Sequence, residues 1–153
     1  MTRILVYLLV TSFFVYSLCE VVKFSDCTDN DPKGVCTVHQ LRINPCKEAA
    51  SNKACKLKKG TTSTLQMDFT TLVPIDTMKG LPYWASVTDL PFVGMDSDAC
   101  KFTACPIGQN VNQTYDFQLT IAKSLPRGTF DVKWKFWIDE EMKQGIKITN
   151  QTT

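Results

Sequence analysis

Cysteine and histidine are the residues here best suited to nucleophilic or metal chemistry, and the chain holds seven cysteines and one histidine. A cysteine nucleophile needs a thiolate and a base within reach. His39 lies three residues after Cys36, which in an extended chain puts the two side chains on opposite faces. No cysteine pair has the CxxC spacing of a zinc or redox site. Carboxylates pair at Asp96 and Asp98 and again at Asp139, Glu140 and Glu141, in turn-like segments that read as solvated surface. There is no glycine-rich phosphate loop and no Ser/His/Asp set. Trp84, Trp134 and Trp137 are not interleaved with a basic stripe of the kind that stacks on nucleic acid. These patterns read as no enzyme, with no cofactor, no metal and no nucleic acid.

The cysteines make better sense beside the first nineteen residues. Arg3 supplies a positive start, Ile4 to Val10 and Phe13 to Leu18 an apolar stretch, and Ser17-Leu18-Cys19 a small-residue cleavage site ahead of Glu20. Residues 1–19 read as a secretory signal, and residues 20–153 as one domain. Cleavage would remove Cys19 and leave Cys27, Cys36, Cys46, Cys55, Cys100 and Cys105. An even set in a small exported chain is a disulfide framework in an oxidising compartment. Asn112 and Asn150 head glycosylation sequons. The net charge of +2 includes Arg3, so the exported chain is nearly balanced, and the lysines from Lys53 to Lys59 read as a solvated loop.

Period-two alternation dominates the elements that must position these residues. Phe130, Val132, Trp134, Phe136 and Ile138 share one strand face, opposite Asp131, Lys133 and Lys135. Leu65, Met67 and Phe69 repeat the pattern, as do Phe117, Leu119 and Ile121, and Ile146 and Ile148. Val35 to Ile43 is a weaker case around Val38 and Leu41, and Lys47 to Ala54 is mildly helical. Turn residues separate these runs, from Asp31-Pro32-Lys33-Gly34 to Pro126-Arg127-Gly128. Strands of this kind stack into an all-β, two-layer antiparallel sandwich. Pro82 and Pro91 predict that the segment from Leu81 to Val93 is a sheet edge or strongly bent. A bent edge beside an aromatic interior suits the mouth of a cavity.

The chain resembles the Niemann-Pick C type 2 group of the MD-2-related lipid-recognition (ML) domains. Lys23-Phe24-Ser25-Asp26-Cys27, Asn44-Pro45-Cys46, Cys55-Lys56-Leu57-Lys58-Lys59-Gly60, Leu90-Pro91-Phe92, Cys105-Pro106-Ile107 and Thr114-Tyr115 carry the resemblance, with Trp134 in order after them. It implies an immunoglobulin-like antiparallel sandwich with an apolar cavity between its two sheets, and an ML-type lipid-binding domain over residues 20–153. The implied ligand is a fatty acid, sterol or similar apolar molecule, carried by a secreted monomer in the extracellular space or the endo-lysosomal lumen, with membrane or receptor contact during transfer. Other roles in the family are carriage of semiochemicals and presentation of lipid to an innate-immune receptor. Carried over by position, the contact residues are Leu90, Phe92, Ile121 and Leu125, joined by Phe117, Leu119 and Trp134 on the apolar faces. Leu125 stands where sterol carriers have tyrosine, which favours an acyl chain. The resemblance also implies the local bridges Cys46–Cys55 and Cys100–Cys105. It leaves Cys27 to Cys36, because the family's partner for the first cysteine lies in the last strand and no cysteine follows Cys105.

Overall fold

The computed structural model describes residues 20–26, 36–138 and 142–152. The signal segment 1–19, Cys27 and the carboxylates Asp139 to Glu141 lie outside the described residues. Nine strands form two antiparallel sheets. The first sheet holds β1 (Glu20–Val21), β3 (Cys36–Asn44), β4 (Thr62–Thr71) and β7 (Gln113–Thr120), in the order β1-β3-β4-β7. The second holds β2 (Ser25–Asp26), β5 (Lys79–Trp84), β6 (Leu90–Pro91), β8 (Thr129–Trp137) and β9 (Met142–Thr152), in the order β2-β9-β8-β5-β6. Among the described residues, helix is confined to two short 3-10 turns, at Lys47–Ser51 and Ala99–Lys101.

Alternation along each strand decides which side chains meet between the layers. On β4, Ser63, Leu65, Met67, Phe69 and Thr71 are buried while their neighbours are not. On β8, Val132, Trp134 and Phe136 are buried, with Phe130 half-buried outside a register shift between Phe130 and Val132. The weak pattern on β3 has a physical cause. A bulge between Val38 and Gln40 inserts one unpaired residue, so burial shifts from the even positions Cys36 and Val38 to the odd positions Leu41 and Ile43. His39 is that extra residue; it stays exposed and bonds Thr70 Oγ1 at 3.0 Å.

The segment from Leu81 to Val93 is bent into a hairpin, as Pro82 and Pro91 predict, and β5 is its inner arm. The two-residue β6 covers it, so Pro91 occupies the outer strand. Pro82 is tolerated because its carbonyl accepts from Phe92 N–H at 3.0 Å, on the side away from β8. A residue's N–H and C=O point the same way, so the missing donor faces β6 and the ladder to β8 loses nothing. Two residues earlier, Gly80 lets the Phe136 ring lie against the backbone; a Cβ there would sit 2.7 Å from it.

The outer face of the first sheet carries a paired ion. Arg42 donates from Nη1 to Asp68 Oδ2 at 2.5 Å and from Nη2 to Oδ1 at 2.8 Å, and Thr114 Oγ1 donates to Oδ1 at 2.8 Å. The Arg42 hydrogen bonds hold the Asp68 carboxyl below its usual range despite some desolvation. A depressed carboxylate contributes stability above the unfolded-state value of about 3.9 and loses it as pH falls through the lower folded value. The thermal midpoint is therefore expected to drop as pH falls below about 4, and Asp68→Asn to flatten that slope. An unchanged slope in calorimetry of the variant would assign the acid sensitivity to other carboxylates.

Candidate functional site

The apolar faces of the two sheets meet in an aromatic seam. Phe117 on β7 and Trp134 on β8 come from opposite layers and meet edge to face, with ring centroids 5.0 Å apart. Tyr115 packs against Phe136 at 5.2 Å and Trp134 at 5.9 Å, both near-perpendicular. Phe102 closes one side, 4.7 Å from Phe117. The Cys100–Cys105 bridge closes the loop that delivers Phe102, and Asp116 N–H donates to Phe102 O at 2.8 Å, tying that loop to β7. T-shaped packing is how large rings fill a sandwich without large gaps.

Beside this seam the described residues enclose a cavity of about 30 Å³ lined by Ile43, Leu57, Ser63, Thr64, Leu65, Leu119, Val132 and Trp134. Both sheets contribute, so this is the space between the layers. Its size is about that of one or two waters, and well below the roughly 300–1,000 Å³ of ligand pockets. A larger guest does not fit this cavity as it stands. A broader concavity on the β7 side has Phe102 and Phe117 at its floor and Asp96, Asp116 and Gln118 around it. Its carboxylates are already engaged by Lys101 and Gln66.

The seven expected contact residues fall into two groups. Phe117, Ile121 and Trp134 are buried in the core, and Leu119 and Leu125 pack against it. Ile121 is clasped by the turn before β4: its carbonyl accepts from Gly60 N–H at 2.6 Å, and its N–H donates to Thr61 O at 2.9 Å. Gly60 has φ +76°, a left-handed conformation that suits glycine. Lys59 Nζ donates to the Leu125 carbonyl, so this member of the lysine run is structural and not merely solvated. Phe92 lies apart from the core, stacked on Trp84 at 4.2 Å, with Phe130 edge-on to Trp84 at 4.9 Å. Leu90 is 58% exposed and no part of the interior wall. Asp89, next to it, anchors this hairpin to β8 through Lys133 at 3.2 Å and Lys135 at 2.8 Å. Burial raises the Asp89 pKa, but hydrogen bonds from Lys135 and Lys133 outweigh it and leave it lowered.

Ile43, Leu57, Ser63, Thr64, Leu65 and Val132 line the cavity and are outside the expected set of contact residues. The signal for Ile43 was cross-strand register: Ile43 pairs with Leu65, and Leu65 with Phe117, in one row across three strands. Cys46–Cys55 and Cys100–Cys105 are bonded, with Cα separations of 4.9 and 5.5 Å. Cys36 is buried at the start of β3, and the expected pairing with Cys27 falls outside the described residues. Asn112 is exposed just before β7, and Asn150 lies in β9. Among the described residues, no group of three or more His, Cys, Asp or Glu is placed to hold a metal, and no helix is long and apolar enough to cross a membrane.

A two-layer antiparallel sandwich with an apolar seam between its sheets is the architecture of a family of binding proteins. The chain belongs to the ML domain family, whose model matches residues 21–146. Its relatives include an MD-2-related lipid-recognition protein of Manduca sexta, 36% identical over 130 residues, covering 82% of this chain and 80% of that protein. The NPC intracellular cholesterol transporter 2 of Danio rerio is 31% identical over 146 residues, covering 91% of this chain and 93% of that protein. The fold is similar to that of a Niemann-Pick type C2 protein from the Japanese carpenter ant, with a TM-score of 0.72 at 19% identity, over 85% of this chain and 98% of that one. Chicken MD-1, solved with lipid IVa, shares it more loosely, with a TM-score of 0.50 at 11% identity over 84% of this chain and 87% of that one. The relatives' names describe lipid recognition and transport, and the chain is accordingly not an enzyme.

Proposed function

We propose that the chain is a secreted lipid-binding and lipid-transfer protein that carries a fatty acid, sterol or similar apolar ligand between its two sheets. The observation that carries this reading is the cavity walled by side chains of both layers. It lies in a domain whose relatives are named for lipid recognition and cholesterol transport. Uptake separates the sheets along this seam, and the interior wall of Phe117, Leu119, Ile121, Leu125 and Trp134 then closes on the lipid. Phe92, on its Trp84 platform, stands at the rim with Leu90. Burial contributes about 0.8 kcal/mol per CH₂ group, so a long chain offsets both association and the opening of the seam without an ion pair. Cleavage after Cys19 and glycosylation at Asn112 and Asn150 belong to the same reading, in which the carrier works as a monomer.

Leu125 supports an acyl ligand over a sterol. An aliphatic side chain repacks around a bent chain, and it offers a sterol hydroxyl no partner. Oleate is expected to bind about tenfold more tightly than cholesterol, which is about 1.4 kcal/mol. Leu125→Tyr is expected to narrow that gap. Native mass spectrometry of protein from its own source, followed by competition of both lipids against one fluorescent probe, tests the reading. Equal or tighter displacement by cholesterol defeats the acyl preference. Displacement by neither lipid, with a small volatile displacing the probe instead, favours a chemosensory carrier.

A further inference from the structure

Two polar atoms sit unpaired at the centre of this apolar seam. Tyr115 and Trp134 are each 0% exposed, and among the described residues neither the Tyr115 hydroxyl nor the Trp134 indole N–H has a hydrogen-bond partner. They come from opposite sheets, on β7 and β8, with rings 5.9 Å apart. Burial pushes the Tyr115 phenol well above its usual range; the nearby Trp134 N–H opposes this without completing a hydrogen bond. Phenylalanine in place of Tyr115 would fill nearly the same space without leaving a hydroxyl stranded in an apolar core, which is costly. Trp134 and Ser63, whose buried hydroxyl is also unpartnered, both line the cavity. Tyr115 and Leu119 of the cavity wall lie four residues apart on the same face of β7, about 13 Å along the strand.

We propose that Tyr115 and Trp134 form a hydrogen-bonding subsite at the inner end of the lipid seam, which accepts a neutral oxygen, a hydroxyl or a carbonyl, carried on the buried end of the ligand. The inference rests on the lipid-carrier reading and narrows it to oxygenated lipids. Trp134 can only donate and Tyr115 can donate or accept, so one oxygen placed between them satisfies both. A carboxylate does not suit the place, because among the described residues no cation lines the cavity or the seam to offset its desolvation. When the sheets part, the oxygen bridges the two layers at the point where they were held together by rings alone.

Palmitic acid and ω-hydroxypalmitic acid differ only at the end that enters, and both can be measured by displacement of N-phenyl-1-naphthylamine. In the wild type the hydroxylated acid is expected to bind at least as tightly as palmitic acid. Tyr115→Phe is expected to weaken the hydroxylated acid about tenfold and to leave palmitic acid unchanged. Thermal unfolding of the ligand-free variant is expected to be no lower than that of the wild type, since an unpaired hydroxyl has been removed. Equal effects on both acids, tenfold weaker wild-type binding of the hydroxylated acid, or a melting point lowered by several degrees would each overturn the subsite while leaving the carrier reading intact. If neither acid displaces the probe, the carrier reading itself fails and the subsite with it.

Discussion

Replacing Trp134 with alanine is expected to lower the unfolding free energy by about 3–5 kcal/mol. The indole is fully buried near the middle of β8, between Pro82 and Ile146 in the ladders. Its ring packs edge-on against Tyr115 and Phe117 of the facing sheet, so its removal also ends two of the ring contacts between the layers and leaves that of Tyr115 with Phe136. The loss is large because the site cannot collapse. Rigid strands flank it, and the cavity already present beside Trp134 would merge with the new space. Urea denaturation followed by far-UV circular dichroism measures it, and Trp134→Phe should recover part of the loss. If the enlarged seam takes up lipid, palmitic acid should restore more stability to the alanine variant than it adds to the wild type. A loss under about 1 kcal/mol would mean that the sheets are held together elsewhere.

Removing the Cys46–Cys55 bridge is expected to cost about 3 kcal/mol in the double alanine variant. The bridge spans 9 residues around the turn Lys47–Ser51, and both cysteines are buried. In the chain-entropy view, cutting it frees the unfolded chain more than it relaxes the folded one. It also releases Leu57, two residues beyond Cys55, from the cavity wall. Stability and probe binding should therefore fall together. A variant that loses stability but keeps its affinity would place Leu57 outside the binding wall.

Much of this was legible in the residues because β-structure writes itself in alternation. The apolar face of β8 could be read directly from Val132, Trp134 and Phe136, flanked by charged neighbours. Burial of Phe117, Ile121 and Trp134 followed from the same period. What could not be read was anything that depends on a partner distant in the chain. The bulge at His39 reverses the parity of β3, and no local pattern announces it. Ile43 joins the wall through its register with Leu65, and Lys59 leaves a solvated run for a carbonyl sixty-six residues away. Pro82 and Pro91 marked a segment that is both bent and at the edge, yet which of its two arms lies outermost is a property of the assembled sheet.

The pairing of β2 with β9 has a consequence for biosynthesis. Ser25 sits opposite Lys147 and Asp26 opposite Ile146, so the second sheet takes one of its margins from the beginning of the domain and its neighbour from the end. At roughly 5–20 residues per second, a ribosome will have presented the whole first sheet and both local cysteine loops well before β9 emerges. During that interval the inner face of β4, with Leu65, Met67 and Phe69, faces a second sheet that holds β5, β6 and then β8 but still lacks β9. The nascent chain therefore carries this apolar face under an incomplete layer. Chaperones, and any lipid at hand, have their best access before the last strand docks.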